Sequence, residues 1–91
     1  MFYDVGAMDR VKVYGADWCE DTQETRAHLD ALGVGYDYIN VEQDPQAEAF
    51  IKRHNHGKRQ TPTVSLGGEI LVEPDNEQLD DALRRLGGAN H

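Results

Sequence analysis

The sequence predicts an α/β fold in which helices pack on a sheet that has a parallel component, and three observations predict it. Twice, a short segment alternating polar and apolar residues is followed by a helical segment, and a strand-helix-strand crossing brings the second strand back parallel. Gly67-Gly68 separates two short apolar runs, and paired glycines at that spacing signal a tight hairpin. The last periodic segment places Leu79, Ala82, Leu83 and Leu86 at helical spacing, giving one apolar face to bury.

The elements follow in order. Arg10-Val11-Lys12-Val13-Tyr14-Gly15 alternates, carries β-branched residues and ends on a glycine, which predicts a first strand with one buried face. After Ala16-Asp17-Trp18 a helix is expected, with Thr22, Thr25, Arg26, Leu29 and Leu32 at helical spacing and Gly33 as its stop. Cys19 therefore falls at a helix N-terminus. Tyr36-Asp37-Tyr38-Ile39-Asn40-Val41 alternates again and predicts a second strand. Asp44-Pro45 opens a second helix, the aspartate as N-cap and the proline at the first helical position, with Ala47, Phe50 and Ile51 as its apolar side. His54 to Gly57 ends it. Thr63 to Leu66 and Glu69 to Val72 are the hairpin strands, and Pro74-Asp75-Asn76 supplies turn and cap chemistry before a final helix stopped by Gly87-Gly88.

The 91 residues fit one domain (1-91, core 10-86, frayed termini), too short for a separate catalytic lobe, so function must sit on one surface. Apolar residues make up 38% of the chain, which suits a folded domain and not a disordered segment. A formal net charge of −8 disfavours nucleic acid and anionic membrane as partners. One cysteine cannot close an internal disulfide, so a reducing compartment is expected. Met1 to Arg10 has no apolar run of the kind a signal peptide or membrane span needs, and a cytoplasmic monomer is expected.

From Arg10 to Leu86 the chain resembles the glutaredoxin branch of the thioredoxin superfamily. The likeness is carried by Trp18-Cys19-x-x-Thr22 after the first strand, Thr61-Pro62 before the third, the hairpin glycines, and the acidic cap Asp75 before the last helix. It implies a thioredoxin-like fold, a four-stranded mixed sheet flanked by three helices, with a cis Thr61-Pro62 bond facing the cysteine. It also implies thiol-disulfide oxidoreductase activity, with Cys19 as nucleophile and Thr22 beside it. Thr61 would offer its backbone to an extended peptide such as glutathione, Pro62 would shape that loop, and Asp75 and Asn76 would face the peptide's charged end. The co-substrate implied is a small thiol, glutathione or mycothiol, with no tightly bound cofactor and no metal. The protein partners implied bear disulfides or S-thiolated cysteines.

The chemistry needs a thiolate, and a free cysteine near pKa 8.5 is mostly protonated at neutral pH. Unpaired N–H groups and the partial positive charge of a helix N-terminus stabilise S⁻, and the Thr22 hydroxyl can add a hydrogen bond. Asp17, Glu20 and Asp21 act in the opposite sense. Lys58 and Arg59, just before Thr61-Pro62, are the basic pair expected to offset them or to hold a substrate carboxylate. Trp18 is expected to shield the site or stack on substrate.

Thr22 stands where dithiol relatives carry a second cysteine, so the expected cycle is monothiol. Three departures from the family matter. Ala16 replaces a frequent lysine, Pro74 lacks an N–H that would hold a glutathione carboxylate, and Leu71-Val72-x-Pro74 looks more like mycoredoxins, relatives that use mycothiol. Alternatives are an electron-donor redoxin with its resolving cysteine replaced at Thr22, a non-catalytic adaptor, and an iron-sulfur carrier; the last is disfavoured because Glu20-Asp21-Thr22 replaces the Gly-Phe-Ser of that branch. His54 and His56 are expected to be exposed helix-end residues.

Overall fold

A computed structural model describes residues 11–88, with side chains described through Arg85. The elements are β1 (Val11–Gly15), α1 (Glu20–Ala31), β2 (Asp37–Asn40), α2 (Pro45–His54), β3 (Thr63–Leu66), β4 (Glu69–Val72) and α3 (Asn76–Gly88). The four strands form one mixed sheet in the order β2-β1-β3-β4. β1 and β2 run parallel, pairing Val13 with Tyr38. β1 and β3 are antiparallel, pairing Val13 with Val64, and β3 and β4 close the hairpin with Val64 opposite Leu71. This is a thioredoxin-like fold, as expected.

Strand alternation divides the core between the two sheet faces. Val11, Val13, Val64 and Leu66 pack with Leu29 of α1 and Leu79 and Ala82 of α3. On the opposite face Tyr14 and Ile39 pack with Val41 and with Ala47, Phe50 and Ile51 of α2. Each fully buried Leu, Ile or Val here contributes about 1.5–3 kcal/mol relative to leaving it exposed, so these two layers hold the sheet between its helices.

The local signals act as their chemistry requires. Asp44 caps α2 by accepting from the Ala47 N–H at 3.1 Å, and Pro45 occupies the first turn. Asp75 and Gln78 form a reciprocal cap at α3: the Asp75 carboxylate accepts from the Gln78 N–H at 2.8 Å, and the Gln78 amide oxygen accepts from the Asp75 N–H at 2.9 Å. Gly67 and Gly68 both take positive φ in the hairpin turn.

Some boundaries differ. The second strand is Asp37–Asn40, shorter at both ends than the alternation suggested: Val41 still donates its N–H to the Gly15 carbonyl at 2.9 Å, but the chain turns there and its side chain packs with Ala47 and Ile51 of α2. Leu32 is not on the buried face of α1: it is the C-cap and 48% exposed, since the helix ends at Ala31 and Gly33 turns the chain with φ 73°. Helix α3 runs through Gly88 and so includes the two glycines expected to stop it. The Leu86 side chain, Arg10 and the termini expected to fray lie outside the described residues.

Candidate functional site

The site forms where β1 ends and α1 begins. Gly15 sits so close to α1 that a Cβ there would meet Thr22 Cγ2 at 2.5 Å and Oγ1 at 2.6 Å. Only glycine fits this approach. Thr22 is fully buried, and its hydroxyl accepts from the Ala16 N–H at 3.4 Å, which fixes the turn leading to Cys19. Cys19 is the N-cap of α1 in an extended conformation, its N–H donating to the Ala16 carbonyl at 3.1 Å and its carbonyl accepting from Gln23 at 3.0 Å. The sulfur is thereby presented at the helix N-terminus, partly exposed.

The Thr61-Pro62 peptide is cis and its loop meets the sulfur. The Thr61 hydroxyl lies 3.6 Å from Sγ as donor, and the Thr61 carbonyl lies 3.8 Å away, where it can accept from the protonated thiol. Partial burial pushes the Cys19 thiol up, but N–H groups of Thr22 and Asp21 and the hydroxyls of Thr61 and Thr22 together hold it below its ordinary value. Directed donors decide the outcome. Asp17, Glu20 and Asp21 are all exposed, and Asp17 is engaged elsewhere, accepting from the Tyr38 hydroxyl at 2.7 Å. Burial and that bond, together with the Asp17 charge, push the Tyr38 phenol up to about 12, while the Arg26 guanidinium lies 3.8 Å from the centre of its ring.

Toward the β4 edge of the sheet lies a cleft of about 310 Å³ lined by Asp21, Glu24, Thr25, Pro62, Glu73, Pro74, Asp75 and Asn76. Four of those side chains are carboxylates. The backbone of its far wall offers few donors: the Glu73 N–H is taken by the Pro62 carbonyl at 2.7 Å, Pro74 has none, and the Asp75 N–H is taken by Gln78. Glu73 adopts φ 49° to make its bond, an uncommon conformation for a residue with a side chain.

Toward the β2 edge the arrangement is different. Trp18, 65% exposed, donates its indole N–H to Glu42 Oε2 at 2.8 Å. The same carboxylate oxygen faces Arg59 Nη2 at 3.4 Å, and Arg59 Nη1 lies 3.3 Å from Glu48 Oε2. Arg59 is therefore paired with Glu42 and Glu48, not with the acids flanking Cys19 as the sequence suggested. Lys58 is exposed and enters no ion pair among the described residues. Of the expected site residues, the structure brings Cys19, Thr22 and Thr61 together at the sulfur. Pro62, Asp75 and Asn76 line the cleft, and Trp18 and Arg59 join a separate cluster. His54 and His56 are both exposed, and among the described residues no group of three or more His, Cys, Asp or Glu is placed to hold a metal ion.

Sequence reasoning missed Gly15 as a packing requirement, Glu42 and Glu48 as partners of Arg59, and Glu73 as a strained linker. Gly15 carried a signal, a glycine ending a strand just before a helix start, which also fits close backbone approach. The other two depend on loops meeting in space, for which the sequence held no local mark.

The glutaredoxin family model matches residues 11–71. Mycoredoxin 1 of Corynebacterium glutamicum is 40% identical over 57 residues, 63% of this chain and 70% of that protein. A Mycobacterium tuberculosis protein provisionally named as a glutaredoxin is 27% identical over 77 residues, 84% of this chain and 92% of its own. Among solved structures, a point mutant of the thioredoxin-like protein BC3987 superposes with a TM-score of 0.74 at 24% identity, covering 82% of this chain and 95% of that one. The Archaeoglobus fulgidus glutaredoxin gives 0.70 at 20% identity, covering 91% and 97%. A buckwheat glutaredoxin-glutathione complex gives 0.68 at 20% identity, covering 88% and 77%. The family match spans the strand carrying the cysteine turn, the cis-proline loop and the hairpin, and the superpositions reproduce the sheet that holds them: the chain belongs to the glutaredoxin family.

Proposed function

We propose that this chain is a monothiol thiol-disulfide oxidoreductase that removes a neutral small thiol, of the mycothiol class, from S-thiolated proteins. The observation that carries it is the thiol of Cys19, held in the acidic direction by four donors and opposite the Thr61-Pro62 loop. In the first step the Cys19 thiolate attacks the small-thiol sulfur of the mixed disulfide; that S–S bond breaks, a Cys19 mixed disulfide forms, and the protein leaves as its thiolate. In the second, a free small-thiol thiolate attacks the bound small-thiol sulfur, releasing the symmetric small-thiol disulfide and restoring the Cys19 thiolate. Donors from Thr22, Asp21 and Thr61 lower the leaving-group pKa of Cys19 and so favour its release. Thr22, buried against Gly15, supplies no second sulfur, so the cycle is monothiol.

Preference for a neutral carrier over glutathione is supported by the cleft. Its carboxylates disfavour an anionic peptide, and Glu73, Pro74 and Asp75 leave no backbone donor for a carboxylate. The C. glutamicum relative, named a mycoredoxin, points the same way. Trp18 flanks Cys19 on the β2 side, Thr61 pairs with the substrate's backbone, and Asp75 and Asn76 bound the cleft that receives the rest of the small thiol. The protein acts as a cytoplasmic monomer, with this activity carried by one domain.

The test is mass spectrometry after incubation with an equimolar mixture of oxidised mycothiol and oxidised glutathione. A mycothiol adduct on Cys19, absent in Cys19→Ser, is expected. An unmodified Cys19 overturns the reaction, and a predominant glutathione adduct overturns the choice of carrier.

A further inference from the structure

The Arg59 cluster lies at the ends of three loops that meet beside the sulfur. Trp18 immediately precedes Cys19, Glu42 follows β2, and Arg59 stands two residues before Thr61, whose hydroxyl touches Sγ. Arg59, one of the two cations expected to hold a substrate carboxylate, is linked through Glu42 to Trp18, and its guanidinium faces Glu42 at 3.4 Å and Glu48 at 3.3 Å. The three side chains are only about a third exposed, at 32%, 37% and 32% for Arg59, Glu42 and Glu48. Pairs so withdrawn are screened less than ordinary surface pairs. Glu48 also pairs with Lys52 one helical turn on, at 3.9 Å from the same oxygen, farther than Arg59. Glu42 is held at its base as well, its N–H donating to the Asn40 side chain at 2.9 Å.

We infer that Glu42 and Glu48 are positioning residues that determine thiol specificity: they occupy Arg59 as internal anions and exclude the carboxylate of an anionic thiol from that place. The inference rests on the exchange chemistry proposed for Cys19 and deepens it, since the same site then discriminates by charge on its β2 side as well as in the cleft. A neutral thiol meets no penalty at Arg59, whereas glutathione must displace two carboxylates already in hydrogen-bonding reach. Glu42→Gln suits the test because the amide oxygen still accepts from the Trp18 indole while the negative charge is gone.

Two measurements separate this inference from the exchange reaction. The first uses S-methylglutathione, which cannot react, titrated into Cys19→Ser protein and followed by NMR. Against that background, Glu42→Gln is expected to tighten binding about fivefold and Glu42→Gln/Glu48→Gln further, with the gain abolished when Arg59→Gln is added. The second compares rate constants for mixed-disulfide formation with glutathione disulfide and with the neutral bis(2-hydroxyethyl) disulfide. Their ratio is expected to rise about fivefold in Glu42→Gln. Affinity that does not change on charge removal, including no measurable binding by any variant, overturns the inference, and so does a gain that survives loss of Arg59. Wild-type protein inert to both disulfides while S-methylglutathione binding responds as expected would overturn the exchange reaction and uphold the role of Glu42 and Glu48.

Discussion

Replacing Gly15 by alanine tests how the cysteine turn is built. The added Cβ would lie 2.5 Å from Thr22 Cγ2, 2.6 Å from its Oγ1 and 3.1 Å from its Cβ. Thr22 is fully buried and cannot swing into solvent. Overpacking of this kind costs about 1–3 kcal/mol, against which alanine recovers roughly 0.5–1 kcal/mol of backbone entropy. A net loss of about 1–2 kcal/mol is expected, or roughly 10 °C in Tm for a domain of this size. Thr22→Ala removes the two closest atoms and leaves only the contact with Cβ. In that background the cost of Gly15→Ala should shrink, and a double-mutant cycle by chemical denaturation should show a coupling of about 1 kcal/mol. The consequence for chemistry is linked, because the Thr22 N–H and hydroxyl hold the Cys19 pKa down. Displacing Thr22 should move the pH dependence of Cys19 alkylation upward in Gly15→Ala. Additive single effects, with coupling under about 0.3 kcal/mol, would refute the claim that Thr22 is what excludes a side chain at position 15.

The remaining outcomes concern the sulfur and the scaffold. Thr61→Val removes a donor to Sγ and should shift the alkylation profile to higher pH, so the variant reacts more slowly near neutrality. The sign in stability follows: a thiol with a depressed folded pKa adds stability above the unfolded value of about 8.5 and loses it as pH falls through the folded value. The deficit of Thr61→Val should therefore be larger above about pH 8.5 than in acid, as read from urea midpoints across pH. Asp44→Ala removes the α2 cap and should cost about 1 kcal/mol in the same urea assay; an unchanged midpoint would show that the cap contributes nothing.

The fold was legible where short-range chemistry dictates structure. The Gly67-Gly68 hairpin and the Asp44-Pro45 helix start appear with the boundaries their residues imply, because turn and cap geometry depend on neighbours in sequence. Leu32 was misplaced because helical spacing alone cannot tell a last buried position from a cap once the chain turns at Gly33. At the site, the placing of Cys19 at a helix N-terminus and opposite Thr61 was legible, the first from local pattern and the second only from resemblance. Arg59 was seen as a cation near the cysteine, but its pairing with Glu42 and Glu48 required the β2–α2 and α2–β3 loops to meet. The acids next to Cys19 weigh less on the thiol than their proximity in sequence suggested, since Glu20 is exposed, Asp21 is exposed and lines the cleft, and Asp17 is engaged by Tyr38.

The bond from the Glu73 N–H to the Pro62 carbonyl fastens the open end of the hairpin to the peptide that follows Thr61. A slip of one residue between β3 and β4 would turn every side chain of the shifted strand to the other face and break that fastening. Because Thr61 would then be free to retreat from Sγ, the acidity of a sulfur near the start of the chain becomes a chemical gauge of strand alignment far downstream.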